Sequence, residues 1–157
     1  MSERPFDVQR ARAEVFALVR ACPVGRVTTY GWLAAGIGMP GHARLVGWIM
    51  NGIPAEARVP AHRVVNRAGV LTGAWAFGHP ETMAGLLRAE GVAFDEKGRV
   101  VMKHHAWDPL ADLDPGELTR ILSDALNDVA DLPAPADDLP AALRRDLSGP
   151  FRLRPSS

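Results

Sequence analysis

The chain has 157 residues, of which 47% are hydrophobic and 23% charged, and its formal net charge is zero. That size suits one ordinary domain, or a smaller domain with an appendage, and the composition excludes a disordered chain. No apolar run approaches the roughly 18 residues of a membrane span, and the single cysteine excludes an internal disulfide or a cysteine zinc cluster. Because no signal-peptide pattern follows the start, we expect a cytoplasmic protein. We also expect no metal and no cofactor.

The charge is distributed unevenly along the chain. Residues 1–107 carry 13 Lys and Arg against 8 Asp and Glu, whereas residues 108–157 carry 5 against 10. A basic body with an acidic tail indicates an anionic partner for the body, although an excess of this size is also ordinary. We therefore predict a body at 1–107 and an acidic extension at 108–157 with one or two helices.

The first predicted helix covers residues 7–20 and ends at the Cys-Pro-Val-Gly of 22–25. Its apolar stripe is Val8, Val15, Phe16 and Val19, and its polar positions include Arg10, Arg12 and Glu14. Residues 26–28 are a strand candidate. Thr29 is a plausible N-cap for a helix over 30–37, and a turn at 38–41 leads to a helix over 42–50. The two short helices form a helix-turn-helix candidate, or simply a packed helix pair.

Residues 59–65 read VPAHRVV and are followed by a turn at 66–69 and a strand candidate at 70–71. Residues 72–78 suggest a loop. A helix then opens at His79-Pro80, with Met83, Leu86 and Leu87 inward, and ends at Gly91. Residues 92–94 and 99–101 predict a hairpin.

The extension begins after the Trp-Asp-Pro of 107–109. Asp114 and Glu117 have the spacing of a capping box. Apolar residues then recur at helical spacing up to Val129. Residues 131–140 resemble a linker, 139–147 a last short helix, and 151–157 a loose end. The fold class predicted is mainly α with a small β component.

The VPAHRVV stretch contains a histidine and an arginine that could take part in catalysis, but it contains no nucleophilic side chain. His62 could serve as the base for a nucleophile on its neighbour. That neighbour is Ala61, whose methyl group cannot attack. The mismatch is the main clue to function.

Four segments resemble a known family when they are taken in order. They read VGRVTTYG at 24–31, GMP at 38–40, ARLVG at 43–47 and VPAHRV at 59–64. Together they resemble the winged helix-turn-helix-like, DNA-binding domain of the O6-alkylguanine-DNA alkyltransferases, from about residue 7 to 107. That family has Pro-Cys-His-Arg where residues 60–63 of this chain read Pro-Ala-His-Arg. Ala61 therefore stands at the position of the family's cysteine. The chain therefore resembles the alkyltransferase-like branch, which lacks the alkyl-accepting cysteine.

The resemblance implies binding in the DNA minor groove and rotation of a damaged base into a pocket. Tyr30 would push on the phosphate 3′ to the target, and Arg44 would enter the base stack. A planar, charged guanidinium can stack in the space that the rotated base leaves. Small residues at Ala43 and Gly47 would let the backbone approach closely. The implied DNA-binding set is Thr29, Tyr30, Ala43, Arg44, Gly47 and Trp48. Without the resemblance, Arg44 would suit a solvated helix arginine and Tyr30 a half-buried anchor.

The implied pocket would accept bulky alkyl groups because Ala61 and Ala74 are small, Ala74 standing where the family usually has tyrosine. His62 and Glu90 match the pair that activates the family's thiol, and here we expect a structural hydrogen bond between them. Arg63 would brace the turn, and Cys22 would be a buried helix-end residue. Ile53 replaces a family asparagine, and Leu45 and Trp48 are unusually bulky for a recognition helix. The implied pocket residues are Val59, Pro60, Ala61, Val64, Ala74 and Trp75.

The resemblance implies a monomeric, non-enzymatic sensor of O6-alkylguanine in duplex DNA that hands the lesion to nucleotide excision repair. One alternative is a helix-turn-helix regulator or interaction module. A hydrolase using His62 and Glu90 is a weaker alternative. The acidic extension could cover an apolar face, recruit a repair partner or repel non-specific DNA.

Overall fold

A computed structural model describes residues 3–77, 79–147 and 150–152 of the chain. Helices dominate these ranges, as predicted, and none is long and apolar enough to cross a bilayer. The α-helices are α1 (Val8–Ala21), α2 (Tyr30–Gly36), α3 (Ala43–Asn51), α4 (Pro80–Ala89), α5 (Met102–His105), α6 (Pro109–Asp112), α7 (Pro115–Ala125) and α8 (Ala141–Asp146). Short 3-10 helices lie at Ala55–Ala57, Ala61–Arg63, Ala74–Phe77 and Leu126–Asp128.

Two small sheets complete the described fold. Strands β2 (Thr28–Thr29) and β3 (Val64–Val65) pair in parallel. Strands β1 (Glu3–Pro5) and β4 (Pro150–Arg152) pair antiparallel. The loose end predicted from residue 151 is therefore wrong for 151 and 152, because their backbone groups pair with the start of the chain; residues 153–157 lie outside the described part.

Helix α1 begins where the sequence predicts, but its polar side is not exposed. Asp7 caps it by accepting hydrogen bonds from the backbone N–H groups of Gln9 and Arg10. Arg12 and Glu14, predicted as polar surface positions, are 1% and 4% exposed. Helix α7 packs against α1, and the Arg12 guanidinium donates to the carbonyl oxygens of Gly52 and Pro133. Partners so distant in sequence leave no local signal, so the amphipathic pattern alone misplaces these residues.

The predicted helix-turn-helix is confirmed in α2 and α3. The Thr29 hydroxyl accepts a hydrogen bond from the Trp32 N–H at 3.1 Å, which starts α2. Gly38 and Gly41 both have positive φ in the connecting turn, a conformation that glycine adopts without strain. Leu45, Val46 and Ile49 of α3 are almost fully buried. On the opposite face of α3, Arg44 is exposed and Ala43, Gly47 and Trp48 are half-buried.

Strand β3 separates the two hydrophobic clusters of the core. Val64 belongs to the cluster built on α1, α2 and α3, whereas Val65 belongs to the cluster with Met83 and Leu87 of α4. Successive side chains of a strand point to opposite faces. The VPAHRVV stretch therefore runs into the seam between the two halves of the body.

The segment around residue 70 differs from its prediction. Residues 70–71 are not a strand, because the Asn66 side chain accepts hydrogen bonds from the N–H groups of Ala68 and Val70 and closes a compact loop. The predicted hairpin is reduced to one bridge between Phe94 and Val100. On α4, Met83 and Leu87 are buried as predicted, but Leu86 is 41% exposed.

The extension lies on the body. Helix α7 begins with the predicted capping box of Asp114 and Glu117. It packs on α1, and α6 packs on α2. Leu143 and Leu147, in and just after α8, are both buried. The structure thus bears out one of the three roles considered for the tail, since it covers apolar surface of the body.

Candidate DNA-binding surface and pocket

The outer face of α3 carries the residues expected to meet DNA. Arg44 is exposed, and Ala43, Gly47 and Trp48 are half-buried beside it. A Cβ added at Gly47 would have no neighbour within 4 Å, so the space above the helix backbone is open there. This spacing places a cation beside small residues on one helical face. Such a face can approach a polyanionic backbone closely.

Tyr30, the first residue of α2, is half-buried and packs against the first core cluster. Its hydroxyl accepts a hydrogen bond from the Thr72 Oγ1 at 3.3 Å, and a Cβ on Gly73 would lie 3.3 Å from the same oxygen. The loop that leads into Ala74 is therefore held against the start of the helix-turn-helix. This connection was not visible in the sequence, because 42 residues separate Tyr30 from Thr72.

Thr29 is buried and has a structural role, although it was predicted to contact DNA. It is 2% exposed, and its hydroxyl is used in capping α2. We predict that Thr29→Ala destabilises the fold by about 1 kcal/mol through the lost cap. Thr29→Ser, which keeps the hydroxyl, should restore most of this loss in chemical denaturation. Equal stability of the alanine and serine variants would contradict the capping role.

Most residues predicted for the pocket lie along the seam of the body. Val59, Pro60 and Ala61 are half-buried, and Val64 is buried with the first cluster. Ala74 is 9% exposed and belongs to the second cluster. The side chain of Trp75 lies outside the described part of the structure. The described pocket residues thus come from both sides of the seam.

Arg63, His62 and Glu90 form one hydrogen-bonded group next to Ala61. The Arg63 guanidinium donates to both Glu90 oxygens, at 3.0 and 2.9 Å, and to the Cys22 carbonyl oxygen at 2.9 Å. The His62 Nε2 lies 2.7 Å from the Glu90 Oε2. The predicted hydrogen bond between His62 and Glu90 is thus present, and Arg63 links the turn to Glu90 and to the end of α1. The bidentate Arg63–Glu90 contact was missed, since the motif shows only that Arg63 adjoins His62.

The electrostatics of this group keep Glu90 ionised. The hydrogen bonds from Arg63, and then those from His62, lower the pKa of Glu90 from 4.5 to about 2. A carboxylate with so low a pKa stays ionised at neutral pH and holds its donors by charge-assisted hydrogen bonds. The group is therefore a fixed ionic connection between the 3-10 helix at Ala61–Arg63 and the end of α4.

Cys22 is not disposed to react as a nucleophile. It is 1% exposed at the end of α1, and burial raises the pKa of its thiol to about 12. The thiolate, not the thiol, is the reactive form of cysteine. The expectation of a buried helix-end residue is confirmed.

Comparison with known protein families identifies the family that has this arrangement of residues. The family model described as the DNA-binding domain of 6-O-methylguanine DNA methyltransferase matches residues 10–92. The chain belongs to this family. The matched segment contains the helix-turn-helix, the VPAHRVV stretch and Glu90.

Two relatives show which kinds of protein this chain is similar to. A DNA base-flipping protein from Vibrio parahaemolyticus is 32% identical over 97 residues, which are 61% of this chain and 94% of that protein. A methylated-DNA–protein-cysteine methyltransferase from Salmonella typhimurium is 46% identical over 78 residues, 50% of this chain but only 44% of that enzyme. The chain therefore spans nearly all of the first relative and less than half of the second.

A solved structure extends the likeness to three dimensions. The crystal structure of S. pombe Atl1 in complex with damaged DNA containing O6-carboxymethylguanine matches with a TM-score of 0.58 and 30% sequence identity. The match covers 100% of that chain and 66% of this one. About a third of this protein therefore has no counterpart in that structure.

Proposed function

We propose that this protein is a non-enzymatic sensor that binds O6-alkylguanine in duplex DNA. One observation carries the proposal: Ala61 stands beside an intact Arg63–Glu90–His62 group, where the family's chemistry would require a thiol. A methyl side chain cannot accept an alkyl group. The base-flipping name of one relative and the damaged DNA bound to Atl1 support the binding half of the proposal.

The DNA contacts are proposed for the exposed face of the helix-turn-helix. In this proposal α3 enters the minor groove, Ala43 and Gly47 allow close approach, and Trp48 borders the contact. Tyr30 pushes on the phosphate 3′ to the target, while Arg44 fills the vacated position in the stack. Flipping costs a few kcal/mol, and less for a base whose pairing is already damaged. That difference supports selection of the alkylated base.

The flipped base is proposed to enter the seam of the body. Val59, Pro60, Ala61, Val64, Ala74 and Trp75 form its walls in this proposal. Ala61 and Ala74 leave room for large alkyl groups because each has only a methyl side chain. Burial of an apolar substituent is worth roughly 0.8 kcal/mol per CH₂, so a roomy pocket favours large adducts.

A sensor that cannot transfer the alkyl group must leave removal of the lesion to other proteins. We propose that nucleotide excision repair proteins receive it. A monomeric state, a cytoplasmic location and the division into a body at 1–107 and an extension at 108–157 stay predictions.

Duplex DNA with an isotope-labelled alkyl group on one O6-guanine tests the absence of enzymatic activity. After incubation and denaturation, all label should remain on the DNA, and competitor duplex should release the native protein. Label bound covalently to the protein would refute a non-enzymatic sensor. Label released into solution with turnover would instead establish the hydrolase alternative.

A further inference from the structure

A groove of about 350 Å³ lies between the start of α3 and the helix α8 of the extension. It brings part of the acidic extension to the arginine proposed to enter the base stack. The lining residues are Gly41, His42, Arg44 and Leu45 on one side and Leu143, Asp146 and Leu147 on the other.

Helix α8 is anchored beside α3 by its apolar face. Leu143 and Leu147, four positions apart on that face, are 8% and 5% exposed, and Leu147 belongs to the same core cluster as Leu45. The bulk of Leu45, unusual in a recognition helix, thus has a structural use, because it forms part of the surface on which α8 docks. Atl1 matches only 66% of this chain.

Asp146 is the acidic side chain that this docking places in the groove with Arg44. It is exposed, as Arg44 is, so both face solvent at the mouth of the groove. The acidic residues of the extension are concentrated in its first part. Residues 108–138 carry 9 acidic and 1 basic side chains, whereas residues 139–157, which include α8, carry 1 acidic and 4 basic ones. Asp146 is the exception within a basic segment, and it lies next to the proposed DNA contact.

We propose that α8 is a flank of the DNA-binding surface and that the Asp146 carboxylate on it lowers the affinity of the protein for duplex DNA. This inference rests on the proposed DNA contact of Arg44. A strand that passes the start of α3 brings phosphates toward the Asp146 carboxylate, and like charges repel. The repulsion weakens binding to every duplex. A low background affinity matters to a sensor, since undamaged sites vastly outnumber lesions.

Asp146→Asn and Asp146→Lys test this inference in the full-length protein. The affinity for an undamaged duplex and for its twin with one O6-methylguanine should both rise, by roughly threefold for Asp146→Asn and roughly tenfold for Asp146→Lys at low salt. The gain should shrink near physiological salt, where the Debye length falls to about 8 Å. Asp124→Asn is the matched control, because it removes the same charge from an exposed site on α7, paired with Arg120.

The outcomes separate this inference from the proposed function. Tightening by the Asp146 variants alone supports it, whether or not the protein prefers the methylated duplex. Unchanged affinity in both Asp146 variants, or equal tightening by Asp124→Asn, would overturn it while leaving lesion sensing intact. Failure of the native protein to bind either duplex would overturn both.

Discussion

Arg44→Ala should lower the affinity for a duplex containing O6-methylguanine by roughly 30- to 100-fold, while the affinity for the undamaged duplex falls only a few-fold. The exposed guanidinium on α3 is proposed to occupy the gap left by the flipped base. Without it, the few kcal/mol that unstacking costs are no longer offset, and binding weakens by that amount. Fluorescence anisotropy titrations with the two duplexes measure both affinities.

Arg44→Lys is the matched control for charge. It retains the positive charge but loses the planar group that stacks on bases. We expect it to keep the affinity for undamaged DNA and to lose most of the preference for the lesion. A second control, Arg120→Ala, removes an exposed arginine from α7, where its side chain is 66% exposed, and should leave the preference intact. An unchanged ratio of the two affinities in Arg44→Ala would remove the stacking role.

Glu90→Gln should destabilise the fold by roughly 3 kcal/mol at neutral pH. The pKa of Glu90 falls from 4.5 to about 2 on folding, chiefly through hydrogen bonds from Arg63, and each unit corresponds to about 1.4 kcal/mol. Because the folded-state pKa is lowered, the stabilisation is complete above about pH 4.5. It is lost as the pH falls toward 2. Urea unfolding at several pH values measures the difference between the native protein and the variant.

The matched control for this carboxylate is Glu81→Gln, on the same helix α4. Glu81 is 74% exposed, and its pairing with Arg88 spans 3.9 Å, so its loss should cost well under 1 kcal/mol. The gap between Glu90→Gln and the native protein should close between pH 4.5 and 2. A gap that stays constant from pH 7 to pH 3 would show that the Glu90 charge is not what stabilises the group.

The helices were predictable where their start signals are local. Asp7, Thr29 and Asp114 each cap a helix through hydrogen bonds to N–H groups two or three residues ahead. Such contacts can be recognised in a short window of sequence. The same locality explains why the turn between α2 and α3, with its two glycines, was correctly placed.

What the sequence could not reveal depends on distant partners. Arg12 is buried because its acceptors include Pro133, 121 residues away. The strand predicted at 70–71 fails because a side chain, Asn66, takes backbone N–H groups that a sheet would have used. The same limit hid the groove shared by Arg44 and Asp146, since it exists only once α8 has docked.

The candidate site was predictable in its chemistry and less so in its connections. Ala61 and the His62–Glu90 pair follow from the motif and its resemblance. The bidentate contact of Arg63 with Glu90 and the link from Tyr30 to Thr72 required the fold. Both newly seen contacts hold the two sides of the proposed pocket in place.

The most direct test of lesion sensing is the affinity of the native protein for a duplex with one O6-methylguanine, measured beside the identical undamaged duplex. The prediction is clearly tighter, reversible binding to the methylated duplex, by at least about tenfold, or 1.4 kcal/mol. Equal affinity for the two duplexes would contradict it.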